Sequence, residues 1–282
     1  MSIGALLTAI ANNAGGLEGD PSDYGSNLLF WLESEQGVNQ GGTGSGGLPE
    51  VVSWLDQSDN SNLFTVPSAP LVTRPPELEA NSVNGLPGIT FQESPTAQDR
   101  KLSSNAITFD SIFAGLSNTF VSIGFAARID TLASSNTSAN NTILSKGFQQ
   151  GNGWVLDVVR DGTMRFRKRR SDGSIFNFSA NGFYASLNLV VGVFTWNGTT
   201  ATDSANFRLW DGTQFVNVGS VLNPGSGSIG GADNFDMVVG NTVNTANGQE
   251  NAHAAFHGSI FSLWATKPGL TTFDDSYLLK YT

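Results

Sequence analysis

Any chemistry in this chain has to come from a short stock of residues. His253 and His257 are its two histidines. Their four-residue spacing would hold a metal on a helix, but they open a segment that reads as a strand, where four residues span ~13 Å, too far to share one ion. They are read as surface or hydrogen-bonding groups. Retaining cleavage of a glycosidic bond needs two carboxyl groups ~5 Å apart. The nearest pairs, Glu33/Glu35 and Glu77/Glu79, lie in or beside loops and lack a third member; Glu33 is read as ending a strand. No serine sits in a nucleophile elbow, and no glycine-rich loop leads into the lysine of a phosphate cradle. The expectation is a protein without a catalytic site.

One cluster departs from the acidic background. Arg165, Arg167, Lys168, Arg169 and Arg170 gather basic residues at one strand end of a chain whose net charge is −10. On a strand, Arg165, Arg167 and Arg169 point to one side. They could hold an anionic glycan, or an acidic surface of a neighbouring subunit. The plainer reading is a solvated strand face whose charges discourage unwanted edge pairing. A sugar site usually needs an exposed aromatic. The six tryptophans, Trp31, Trp54, Trp154, Trp196, Trp210 and Trp264, all fall in strand patterns and read as core.

The elements that must position these residues are strands. Residues 187–212 carry two runs rich in β-branched and aromatic residues around a polar connection, the pattern of an antiparallel pair. Both faces of 187–196 are mostly apolar, which predicts a strand covered on both sides of a two-sheet stack. Residues 119–130 alternate, with Val121, Ile123, Phe125, Ala127 and Ile129 on one face, and predict a half-buried strand. Further strands are expected at 28–33, 51–56, 63–66, 88–92, 101–109, 143–146, 153–160, 163–169, 174–179, 215–218, 236–240 and 256–265. Turns fall at Asp161-Gly162 and Asp172-Gly173. Residues 36–47 read as a mobile, glycine-rich surface loop, and 273–279 as a short helix.

Composition agrees. With 33 glycines, only 13% charged residues and no cysteine among 282 residues, the chain reads as a turn-rich β-protein without disulfides or thiolate metal sites. Its acidity argues against nucleic acid as a partner. No apolar run approaches the ~20 residues of a transmembrane helix, so no membrane partner is expected. Residues 1–11 lack the basic flank of a secretory signal. Ile3, Leu6, Leu7 and Ile10 instead fall at helical spacing, with Ser2 as cap and Gly15-Gly16 as stop. The division expected is a helical arm and linker over 1–23 and one jelly-roll domain over 24–282. The arm is read as packing on its own domain or docking on a neighbour.

The order of segments carries a resemblance. Residues 120–129, TILSKG at 142–147, GWVLDVVRDGTMRFR at 153–167, the central pair ending in LWDG, DMVVGN at 236–241 and FHGSIFSLWA at 256–265 resemble the laminin-G-like branch of the concanavalin A-like lectin/glucanase superfamily. LLFWLE, VSWLDQSDN and NGLPGITF are similar to the leading part of such domains in bacterial and phage proteins. The resemblance implies an all-β, two-sheet antiparallel jelly roll, but no single function. Hydrolases of that superfamily carry Glu-x-Asp-x-x-Glu on a strand, and no such run occurs here. Some of its members bind calcium at a loop rim. Asp157, Asp233 and Asp236 could supply oxygens but match no ligand motif, so no cofactor is assigned and all three read as solvated turn aspartates. The function expected is a non-enzymatic virion structural protein, a capsid decoration or tail-associated surface protein, whose partners are other virion proteins or copies of itself. Attachment to host surface glycans is an added expectation. The alternatives are a carbohydrate-binding adhesin at a cell surface or outside the cell, and a glycan hydrolase with a non-standard site.

Overall fold

The computed structural model describes residues 21–67, 74–92, 100–105, 121–130, 140–148, 153–159, 161–180, 189–198, 205–226, 229, 236–241, 255–266 and 276–282. Among these the chain is built from β-strands. In order they are β1 (Leu28–Glu33), β2 (Val38–Thr43), β3 (Pro49–Leu55), β4 (Leu63–Thr65), β5 (Glu77–Val83) and β6 (Leu86–Phe91). Then come β7 (Leu102–Ser104), β8 (Val121–Ile129), β9 (Asn140–Lys146), β10 (Trp154–Val159), β11 (Met164–Arg169) and β12 (Ile175–Ala180). The last are β13 (Leu189–Trp196), β14 (Ala205–Trp210), β15 (Phe215–Val218), β16 (Ser220–Asn223), β17 (Met237–Val239) and β18 (Gly258–Thr266).

Antiparallel ladders assemble them into two sheets. Sheet A runs β15-β14-β13-β8-β18; the far edge of β18 is shared by β1 and β6, and β5 lies beyond β6. Sheet B runs β2-β3-β4-β7-β17-β9-β10-β11-β12-β16. A bridge from Glu50 to Glu77 joins them at one corner. This is the all-β antiparallel sandwich that the alternating sequence predicts.

The sheets close on an aromatic core. On β11, Met164 and Phe166 are buried while Arg165, Arg167 and Arg169 keep contact with solvent, as a period of two requires. Phe166 stacks on Phe194 of the opposite sheet at 4.1 Å, and Phe176 stacks on Trp196 at 4.5 Å. Flat rings fill the gap between sheets with large apolar area and little lost side-chain entropy, so this is where the sandwich is most firmly joined.

Sheet A is also roofed on its outer side. The turns Pro21–Asn27 and Ser276–Tyr281 are short 3-10 helices, and Trp31, Val191, Val193, Phe261 and Trp264 are buried together with Leu278 and Tyr281. This bears out the two-sided burial expected of 187–196. It corrects the half-buried reading of 119–130, because Ser122, Gly124 and Ala126 on the other face of β8 are covered too.

Several segments depart from expectation, among them Ser220–Asn223, which forms β16 where no strand is expected. Residues 36–47 hold strand β2, which pairs with β3 although its residues 39–43 are exposed. Residues 77–83 form β5, so Glu77 and Glu79 lie in a strand and not in a loop. The C-terminal helix expected near 273–279 is the 3-10 turn Ser276–Tyr281. The arm residues Ile3, Leu6, Leu7 and Ile10, together with His253 and Asp233, lie outside the described residues.

Candidate functional site: an arginine ladder on sheet B

The hairpin β10–β11 determines the site. Val159 and Thr163 close its turn with a 2.9 Å backbone bond, and the Asp161 carboxylate accepts from the Thr163 N–H at 3.0 Å. Register then follows: Asp157 lies opposite Arg165, and Val155 opposite Arg167. On the other side β12 places Ser179 beside Arg165 and Asn177 beside Arg167. Arg165, Arg167, Asp157, Asn177 and Ser179 therefore share the outer face of sheet B.

Asp157 is completely buried. Its carboxylate accepts a fork from Arg165, Nε to Oδ1 at 2.9 Å and Nη2 to Oδ2 at 2.9 Å. Arg167 Nη2 donates to the same Oδ2 at 2.6 Å. The guanidinium of Arg167 stands 4.4 Å from the centre of the Phe148 ring, and Arg169 Nε donates to the Phe148 carbonyl at 3.3 Å. Ser179 Oγ donates to Asn177 Oδ1 at 3.3 Å. Burial pulls the Arg167 guanidinium below its ordinary pKa; Asp157 opposes that shift and the Arg165 charge adds to it. Arg167 Nε is buried with no hydrogen-bond partner.

Arg165 and Arg167 thus share one carboxylate, which fixes their rotamers while both side chains stay partly exposed. A planar guanidinium held in place between a buried anion and a ring presents its remaining N–H groups without further loss of freedom. Such an edge is suited to an oxyanion, whether carboxylate, sulfate or phosphate. The other two members of the basic cluster do not join it: Lys168 and Arg170 are buried, at 2% and 4% exposure.

The other candidates disperse. Glu33 is buried and accepts from the hydroxyls of Tyr277 and, at 2.6 Å, Tyr281; Lys280 lies 3.5 Å from it and 3.1 Å from Glu35. Burial raises the Glu33 carboxyl, and Lys280 and the two hydroxyls only partly offset that. The Tyr277 phenol is pushed up to about 12 by burial and by Glu33. Glu77 pairs with Arg100 at 2.7 Å and accepts from the Gly46 N–H at 3.0 Å; Glu79 pairs with Arg128 at 3.0 Å. Burial alone would raise the Glu77 carboxyl, but Arg100 and Gly46 hold it below the usual range. Each carboxylate is thus engaged by its own partners, and each pins a turn or strand. The His257 backbone N–H donates to Asn141 Oδ1 at 3.0 Å. Asp157 is no turn aspartate, and among the described residues no three acidic or histidine side chains converge to hold a metal ion.

Sequence reasoning missed the Asp157–arginine pairing and the only partial burial of Trp210. The first was hidden by a one-residue shift: counting outward from a two-residue Asp161-Gly162 turn sets Asp157 against Phe166, whereas the register places Val158 opposite Met164 and Asp157 opposite Arg165. The second had a weaker signal, a tryptophan at the last position of a strand before a tight turn. The other tryptophans are buried, as expected of core residues.

No protein-family model matches the chain, and no curated protein matches it. Solved structures do. Over 93% of its length the chain is similar to the binding domain of Paraclostridial Mosquitocidal Protein 1, with a TM-score of 0.54 and 13% identity, covering 52% of that structure. It is similar over 90% of its length to the binding domain of Botulinum Neurotoxin DC in complex with SialylT, with a TM-score of 0.48 and 10% identity, covering 51% of that chain. The Ruminococcus gnavus IT-sialidase CBM40 aligns with 72% of this chain and 94% of its own, at a TM-score of 0.41 and 12% identity. The chain spans about half the length of the first two of these structures. What the first likeness establishes is the fold alone.

Proposed function

We propose that this chain is a non-enzymatic attachment module of the laminin-G-like kind, in which Arg165, Arg167 and Arg169 meet an acidic group on a surface glycan. The observation that carries this reading is the completely buried Asp157, which holds two arginines in a fixed fork while their side chains stay partly exposed. A merely solvated strand face would not need a buried counter-ion. The setting we assign is a virion surface, as a decoration or tail-associated protein, with residues 1–23 as an arm through which Ile3, Leu6, Leu7 and Ile10 dock on a neighbouring virion subunit. That setting stands on the helical spacing of those four residues and on the family resemblance. An acidic patch of the neighbouring subunit is the other ligand the arginines suit.

The test is direct titration with a heparin-derived octasaccharide and with sialyllactose, with lactose as the neutral control. Binding of either anionic probe, weakened about tenfold by Arg167→Ala and not restored by Arg167→Lys, is the expected result, because lysine keeps the charge but not the fork. Absence of binding to both anionic probes, or binding that Arg167→Ala leaves unchanged, removes the glycan reading.

A further inference from the structure

Trp210 ends β14 and Phe215 begins β15, and the two residues face each other across the turn that joins these strands. Their ring centres are 5.3 Å apart at an interplanar angle of 64°. Both are only partly buried, on the outer side of sheet A, against a bed that includes Val191 and Val193. The turn between them is stiff. Asp211 Oδ1 accepts from the Thr213 N–H and Oγ1, both at 2.8 Å, and from the Gln214 N–H at 2.9 Å. The Asp211 N–H in turn donates to the Gln214 carbonyl at 3.0 Å. The aromatic pair is therefore held in one arrangement before any ligand arrives.

Polar groups border the pair on the same face. Arg208 lies opposite Asn217, and Asn206 Nδ2 donates to Asn217 Oδ1 at 2.9 Å. Side-chain amides and a guanidinium are the groups that bridge neighbouring hydroxyls. A pyranose has an apolar C–H face and a hydroxyl rim, and an aromatic bed with an amide border matches both. Arg208 and Asp211 balance in charge, so this patch does not select an anion. A second copy of the chain is the weaker occupant, since a stable dimer needs roughly 800 Å² per partner and one aromatic pair falls well short.

We infer that Trp210 and Phe215, bordered by Asn206, Arg208 and Asn217, form a stacking platform for a neutral pyranose on sheet A. The site lies on the opposite sheet from the arginine ladder and does not depend on it. Cellohexaose, laminarihexaose, maltohexaose and chitohexaose are titrated against the full chain by calorimetry and saturation-transfer NMR, with sedimentation of the free protein alongside. At least one hexaose binds, Trp210→Ala and Phe215→Ala each weaken it about tenfold, and Arg167→Ala leaves it unchanged. Thermal melts check the folding of each variant, and Asn217→Ala, an exposed rim change, carries the test if either aromatic variant fails to fold. The inference is overturned if no hexaose binds, if binding survives the platform substitutions, or if it falls with Arg167→Ala. It is equally overturned if Trp210→Ala dissolves a dimer and no sugar binds, because the pair is then a subunit contact.

Discussion

Asp157→Asn is the perturbation that asks most of the structure. The wild-type carboxylate receives three charge-assisted bonds, two at 2.9 Å from Arg165 and one at 2.6 Å from Arg167. Asparagine keeps one acceptor oxygen and turns an N–H₂ group toward a guanidinium, so at least one bond becomes a donor facing a donor. Hydrogen bonds to charged groups contribute about 1.5–3 kcal/mol each. Removing one partner of a buried ion pair costs about 3–5 kcal/mol, because the other charge is left uncompensated. Arg165 and Arg167 are 17% and 19% exposed. Water can therefore rehydrate them in part, which sets the expectation at the low end, about 3 kcal/mol. For a chain of this size that is a fall of about 6 °C in melting temperature. Urea unfolding at neutral pH measures it, with Asp157→Leu/Arg165→Met/Arg167→Met as the companion. Removing all the charges together should recover most of the loss. A shift below about 1 kcal/mol in Asp157→Asn, or a triple variant as unstable as the single one, would refute the claim that uncompensated charge is what costs stability.

Two further predictions follow from other parts of the molecule. Burial raises the Glu33 carboxyl in the folded protein, so its contribution to stability is fully present below the unfolded carboxyl pKa and is lost as pH rises through the folded one. The stability advantage of wild type over Glu33→Gln should therefore shrink as pH rises above the ordinary carboxyl range, and a difference that stays flat across thermal melts from acid to mildly alkaline pH would rule this out. If residues 1–23 dock the chain on a particle, changing Ile3, Leu6, Leu7 and Ile10 together to serine should abolish its recovery with purified virions while leaving the melting temperature of the sandwich in place. Undiminished recovery would dismiss the arm.

Much of the sandwich was legible because its strands are self-declaring. The segment 28–33 is apolar up to Glu33 and forms β1 with those bounds. The run from Met164 to Arg169 shows its two faces in the alternation of large apolar and basic residues. β2 and β5 were not legible for a physical reason: neither carries the pattern of a strand. β2 is held by the edge that β3 offers, and Glu77 at the start of β5 is fixed by Arg100 and the Gly46 N–H, contacts that join distant parts of the chain. The site divides the same way. The common direction of Arg165, Arg167 and Arg169 follows from strand geometry alone. The same alternation turns Lys168 and Arg170 to the opposite face, where both are buried; that the Phe148 ring underlies Arg167 depends on packing that no local pattern reports.

The two short turns that roof sheet A are also the first and last segments of the described fold. Tyr24 rests 5.5 Å from Trp264, and Tyr277 lies 6.0 Å from Trp31. These two described segments are thereby brought to one side of the sandwich, with its whole thickness between them and the guanidinium groups of β11. A support that gripped either of these segments would stand behind the molecule, and the arginines would look away from it, toward whatever approaches from outside.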